Sequence, residues 1–417
     1  MANLTDIYKK ASLVMKPAAM KEGKLYSQQP HSGAGDFTFS RANGVQTRIN
    51  EHGLIETVAD NTPRLSYDLD ADGNVSECPT LLLEPTSTNL LQRSEDYANS
   101  YWLKARVGSS ATGYTAPDGT NNATYYEQAS GQTTAAVIYK SSFTSASSGI
   151  YTFSVWAKKA EKRYFKFQTR VNSSTYRTVF DLQEGVITYD SGNENAKIEE
   201  YPNGWYRLSV QRTSTTTNDI IVYYYLNDSA GADDTVTDSG GVYIWGSQVE
   251  KSNYPTSYIP TEGSTEVRNA DSPALGNSQE IIGQTEGVLF FDFENYGQVG
   301  TSYINHVKIE SEGNNDRVAI QSDAAALNRI ILVINNGSST FFQPIEDISL
   351  GRNKIAIKYK SGDIDAYING VKEQASTTSF SFANTLNNIY LGSNSQVNEL
   401  SLFNEALSDS ELITLTT

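Results

Sequence analysis

The stretch "GIYTFSVWAKK", residues 149–159, sets Tyr151, Phe153 and Val155 at every second position, with Thr152, Ser154 and Trp156 between them. Successive side chains of a strand point to opposite faces, so the run predicts a strand with one apolar and one mixed face. The same period returns in RYFKFQTRV (163–171), where Phe165, Phe167 and Thr169 alternate with Lys166, Gln168 and Arg170. It returns again in GWYRLSVQR (204–212), with Tyr206, Leu208 and Val210 against Trp205, Arg207 and Ser209. DIIVYYYLND (219–228) and GGVYIWGSQVE (240–250) follow, with no helical periodicity between the runs. Strands so spaced predict an antiparallel sandwich.

The pattern lapses over residues 263–284, which read as a linker, and resumes with EGVLFFDFEN (286–295). Asn369-Gly370 closes a tight hairpin after Ile364, Ala366 and Ile368. Near the end, Ser408 with Glu411 three residues on predicts a capped short helix. The fold class is therefore all-β: two antiparallel β-sandwich (jelly-roll) domains in tandem, with an N-terminal attachment arm. The expected divisions are an arm (1–30), a strand-rich module packing on the next domain (31–98), a first sandwich (99–262), the linker (263–284) and a second sandwich (285–417). In the arm, Leu4, Ile7, Ala11, Val14 and Met15 fall near helical spacing within residues 4–20, limited by Pro17.

Composition agrees with this class. Tyr (26) outnumbers Phe (15) in a chain of 417 residues, a bias that suits sheet with a large polar surface. The net charge of −16 argues against a nucleic-acid partner, since affinity for phosphates rests on Lys and Arg. No run reaches membrane-spanning length, so no membrane insertion is expected, and the first residues lack the apolar core of a secretory signal. Cys78 is the only cysteine, which excludes an intrachain disulfide.

The run from Gly35 to Asp68, followed by CPTLLLEPTSTNLLQRSEDYANSYWLK (78–104), resembles the N-terminal module common in fibre, spike and other appendage proteins of tailed bacteriophages. Its landmarks stand as Phe39-Ser40-Arg41, Thr47-Arg48, Gly53-Leu54-Ile55-Glu56, Pro63-Arg64, Leu82-Leu83-Glu84 and Thr88-Asn89-Leu90-Leu91. The segment ending in GGVYIWGSQVEKSNYPTSYIPTEGSTEVRNAD (240–271) resembles the jelly-roll domain that often follows, which is similar to carbohydrate-binding modules. The C-terminal part, ending in LSLFNEALSDSELITL (400–415), resembles a concanavalin-A/laminin-G type sandwich. The resemblance implies a structural protein of the virion, a tail or head fibre or spike, made in the host cytoplasm. It implies a homo-oligomer, most often a trimer, with an arm that docks on other virion proteins and sandwiches that face host-surface polysaccharide or glycoprotein. Leu4, Ile7, Tyr8, Leu13 and Val14 are the candidate docking residues.

A catalytic constellation is hard to assemble: the 48 acidic residues leave carboxylate pairs for glycoside cleavage open, but nothing singles out two of them. His31, His52 and His306 are not paired at metal-ligand spacing, and neither a nucleophile elbow nor a phosphate-cradling Gly-rich loop occurs. No enzyme is expected; a glycan hydrolase and a purely structural, decorating virion protein are the alternatives to receptor binding. Sugars stack their C–H faces on flat rings that also carry a polar edge. The candidate stacking residues off the core faces are Trp102, Trp156, Tyr223, Tyr225 and Trp245, with Trp205 at a strand start. The competing reading makes Trp205 a cover for the sandwich edge and packs Trp245 and Tyr243 beneath the N-terminal strands. No cofactor is expected beyond calcium, for which Asp68, Asp70 and Asp72, followed by Gly73, match the start of an EF-hand-type loop. Pro79 stands where the twelfth-position ligand belongs, and Asp72-Gly73 also makes a good hairpin turn.

Overall fold

A computed structural model describes residues 2–417 except 19, 22, 43, 145–147, 216–218, 297–302, 314, 324–328, 338–339, 346–347 and 349. It is all-β, and its sheets are antiparallel throughout. The alternating runs become one sandwich of two six-stranded sheets. One sheet orders Leu103–Ala105, Val137–Thr144, Asp219–Asn227, Tyr164–Val171, Ser174–Asp181 and Val186–Asp190. The other orders Val107–Tyr114, Ala123–Gln128, Gly240–Glu250, Gly149–Lys159, Trp205–Ser214 and Glu194–Tyr201. Tyr151, Phe153, Val155, Phe165, Phe167, Leu208, Val210, Val222 and Tyr224 fill the space between them, as the period of two requires.

The second sandwich is built from both ends of the chain. Its eight-stranded sheet places Glu286–Asn295 beside Ser395–Phe403, which pairs in turn with Thr80–Leu83 and with Leu13–Met15. In its nine-stranded sheet, Ser272–Gly276 lies between Phe37–Ser40 and Leu386–Leu391. The first sandwich is thus inserted into the second, and a short ladder of Ser87–Asn89 with Glu266–Arg268 sits where the chain leaves and returns.

This arrangement corrects three expectations. The arm folds back on its own chain: helix Leu4–Tyr8 stops after five residues, and Leu13 and Val14 pair with Leu402 and Ser401. The β-prone Leu-Val-Met run takes a strand edge in place of a longer helix. The 31–98 module divides its loyalties: its Thr47–Ile49/Ile55–Thr57 hairpin covers the inserted sandwich and Leu91 and Tyr97 enter that core, while Phe37–Ser40, Leu65–Ser66 and Thr80–Leu83 complete the C-terminal sheets. Residues 263–284 contain two strands, too short for alternation to register in the sequence. The C-terminal helix Asp409–Thr416 carries the capping box of Ser408 and Glu411, and Asn369-Gly370 turns its hairpin with positive φ at both residues. Among the described residues, no helix is long and apolar enough to cross a membrane.

The landmark residues meet at the junction of the two sandwiches. Arg64 Nη1 lies 2.6 Å from Glu84 Oε2, and its other terminal nitrogen binds Asp271. Arg41 reaches Asp271 at 2.7 Å and Arg268 reaches Glu84 at 3.2 Å. All five groups are buried. Burial alone would raise the Glu84 carboxyl, but Arg268 and Arg64 outweigh it and hold it at about 2. Asn89 donates to the carbonyls of Ser247 and Ile259, tying the same junction to the inserted sheet.

Candidate functional site

Each sheet of the inserted sandwich has one face outside the shared core. On the sheet containing Gly149–Lys159, that face is covered. Trp156 packs edge-on against Trp245 (5.4 Å between ring centres) and Tyr258 (5.4 Å), with Trp205, Tyr201 and Ile55 of the hairpin around them. Gly246, at φ +65°, lies so close that a Cβ there would be 2.8 Å from the Trp156 ring. Trp245 Nε1 donates to Asn122 Oδ1 at 2.8 Å, and the Arg207 guanidinium lies 4.5 Å over Trp156 while donating to the Thr256 carbonyl. Trp102 is buried in the core beside Tyr97 and Tyr224, its Nε1 on the Arg93 carbonyl at 2.9 Å. All four tryptophans are therefore packing residues, at most 2 % exposed: Trp102 within the core, and Trp156, Trp205 and Trp245 beneath the N-terminal hairpin and residues 254–259.

The outer face of the opposite sheet is covered in part: residues 230–234 lie over Lys166 and reach Thr188, while Tyr139, Tyr223 and Tyr225 stay half-buried. Within VYYYL, Tyr224 turns into the core, where its hydroxyl accepts from Ser247 at 2.9 Å, so its neighbours Tyr223 and Tyr225 turn outward. The register Leu103–Tyr139–Tyr223–Gln168–Arg177 runs across five strands as one row. The next row places Val137, Tyr225, Lys166 and Val179 side by side. Tyr139 stacks on Tyr223 at 5.3 Å and 20°, and Tyr223 on Tyr225 at 6.0 Å and 25°. All three are half-buried, and Leu103 at the row's end is 41 % exposed.

Polar groups frame this ladder. Arg177 Nε donates to Gln168 Oε1 at 2.8 Å. Lys166 lies 4.5 Å from the Tyr225 ring and is ion-paired with Asp234 in the segment that follows strand Asp219–Asn227. Burial, and then Asp234, push the Tyr225 hydroxyl up to about 12, so it remains a neutral donor at ordinary pH. Flat rings beside fixed amide and cationic donors form a surface that can stack a sugar ring and bond its hydroxyls.

The remaining candidates do not assemble. Asp70 Oδ1 accepts from the backbone N–H of Asp72 (2.9 Å) and Asn74 (2.8 Å), closing a turn, while Asp68 faces away to accept from Gln396. Among the described residues, no three His, Cys, Asp or Glu side chains are grouped to hold a metal ion. His306 is buried between Ser395 Oγ (2.8 Å) and Ser322 Oγ (2.5 Å), and burial lowers it to about 3; His31 and His52 are exposed. Of the docking candidates, Ile7, Leu13 and Val14 are buried inside the chain, Tyr8 donates to Glu399 at 2.9 Å, and Leu4 is exposed. The arm's apolar side is satisfied by strand Ser395–Phe403 and the C-terminal helix, so it is not a free docking stripe.

Tyr223 and Tyr225 are thus the sequence candidates that reach this partly covered face. Tyr139 and Arg177 escaped sequence reasoning, since only strand register brings them beside Tyr223. Lys166, Gln168 and Arg170 were legible as the mixed face of RYFKFQTRV, but not as neighbours of tyrosine.

No protein-family model matches the chain, and no curated protein matches it. Some solved structures are weakly similar. The Ruminococcus gnavus IT-sialidase CBM40 bound to alpha2,3 sialyllactose aligns at 14% identity and TM-score 0.29, over 34% of this chain and 87% of that one. A leech intramolecular trans-sialidase aligns at 16% and 0.28, over 33% of this chain and 24% of the enzyme, so the chain spans about a quarter of that protein. The binding domain of botulinum neurotoxin DC aligns at 10% and 0.29, over 35% of this chain and 40% of that one. Likenesses this slight leave the reading to the chain's own geometry.

Proposed function

We propose that the protein binds glycans through the Tyr139–Tyr223–Tyr225 ladder, as an appendage of a tailed-bacteriophage particle that attaches to host-surface polysaccharide. The observation that carries the binding is the stack of three outward, half-buried tyrosines, flanked by Gln168 and Arg177. The particle assignment is supported by the resemblance of residues 35–104, whose landmarks Arg41, Arg64 and Glu84 form the buried junction here. In this reading the role is binding without catalysis. A homo-oligomer, a trimer in the resembling proteins, multiplies weak single-site affinity through avidity. A glycan panel probed with the wild type and with Tyr139→Ala/Tyr223→Ala tests the site. Loss of retention in the variant, with an unchanged melting temperature, is the expected result; equal retention would remove the ladder from the function.

A further inference from the structure

The chain is strongly acidic overall, yet guanidinium groups gather at the ladder. Arg177 ends the Tyr139–Tyr223–Gln168 row, and Arg170 lies two residues from Gln168 on the same outer face. Arg106 stands on the other flank, where it and Arg177 both bear electrostatically on the Tyr225 hydroxyl. Among the described residues, Arg106, Arg170 and Arg177 have no carboxylate partner. Arg106 Nε is spent on the Ala135 carbonyl and Arg177 Nε on Gln168, which leaves their terminal nitrogens unassigned. Lys166, by contrast, is already neutralised by Asp234. A guanidinium left without a carboxylate beside an aromatic ladder is a two-donor fork that matches a planar, two-oxygen acceptor. The same fork also pairs with tetrahedral oxyanions, so the sulfated reference polymer in the test separates the two classes.

We infer that the ladder selects glycans bearing a carboxylate, with Arg177 as the principal clamp and Arg106 and Arg170 at its flanks. This rests on the glycan-binding reading above. The row from Tyr139 to Arg177 crosses three strand spacings, roughly 14 Å, the reach of a short oligosaccharide whose ring stacks at one end and whose acid group meets the arginine at the other. The acidic remainder of the protein does not defeat this attraction, because charges beyond about 8 Å are largely screened at physiological ionic strength.

The test compares alginate, polygalacturonate, hyaluronate and polysialate, each beside its carboxyl-reduced derivative, with dextran and dextran sulfate as references. The full chain and its Arg177→Gln and Tyr223→Ala variants are titrated at low and at raised NaCl, with melting temperatures confirming that they are folded. At least one acidic polymer is expected to bind about tenfold or more tighter than its reduced form, and Arg177→Gln to lower that affinity about tenfold. Raised salt weakens the acidic polymer in the same experiment. Equal affinity for acidic and reduced forms would overturn the carboxylate inference and leave the ladder reading standing. Tighter retention of dextran sulfate than of every carboxylate would overturn it in favour of general polyanion attraction. No retention of any polymer, neutral or acidic, would sink both readings together.

Discussion

On one outer face of the inserted sandwich, Trp156, Trp205 and Trp245 lie beneath the Thr47–Thr57 hairpin; on the other, Tyr139, Tyr223 and Tyr225 stay half-buried. Both sets leave the core by the same alternation. They differ in what the rest of the chain does. Over the tryptophans, residues 254–259 also satisfy the buried polar groups: Thr256 donates to Glu250, and Ile259 N–H donates to Gln248 Oε1 at 2.7 Å. On the tyrosine side the segment after Asn227 crosses the sheet from Lys166 to Thr188 and leaves Tyr139, Tyr223 and Tyr225 half-buried. Aromatic residues off a strand's core face therefore mark a contact, and the path of distant segments decides whether that contact is internal or is offered to a ligand.

The comparison breaks most severely at Trp156. Trp156→Ala is expected to cost about 3–5 kcal/mol, the usual range for emptying a buried aromatic site. Urea unfolding measures it; a loss below about 1 kcal/mol would mean that the tryptophan face is not packed as described. Arg64→Met comes next. It leaves Glu84 and Asp271 buried with less compensating charge, and about 3 kcal/mol should be lost. Unchanged stability in the same assay would show that the junction does not depend on this ion pair.

Acid sharpens the contrast between buried framework and half-buried ladder. His306 stays neutral down to about 3 in the fold but takes up a proton near 6.5 when unfolded. The unfolded chain then holds more protons, so stability falls as pH drops from 6.5 toward 3, by about 1.4 kcal/mol per pH unit. Glu84 acts in the same direction lower down. Its stabilisation is complete above 4.5 and is lost as pH falls toward about 2. Chemical unfolding of the wild type and His306→Gln between pH 7.5 and 4 should show a flatter slope for the variant; parallel slopes would contradict the neutral, buried histidine.

The alternating runs from 149 to 250 were legible because the period of two has one physical meaning, a half-buried strand. The second sandwich was legible in its C-terminal strands for the same reason. Its N-terminal contributions were not, since Leu13–Met15, Leu65–Ser66 and Thr80–Leu83 are too short for periodicity, and the pairing of Leu13–Met15 and Thr80–Leu83 with Ser395–Phe403 crosses more than 300 residues. At the site, YYY announced two outward rings. Which face stayed partly accessible, and that Tyr139 and Arg177 joined it, depended on register across five strands. The aspartates of DLDADG illustrate the reverse case. Their spacing matched a calcium loop, but Asp70 bonds to the backbone of its own turn and Asp68 to Gln396.

The smallest expected effect on stability is also the most direct test. Tyr139→Ala and Tyr223→Ala remove half-buried rings outside the core, so unfolding free energy should shift by no more than about 1 kcal/mol each. Titration of a glycan that the wild type retains, against the double variant at matched melting temperature, should show binding lost by at least about tenfold. Binding retained at wild-type strength, or lost only together with the fold, would contradict the claim that the tyrosine face is where this protein meets its ligand.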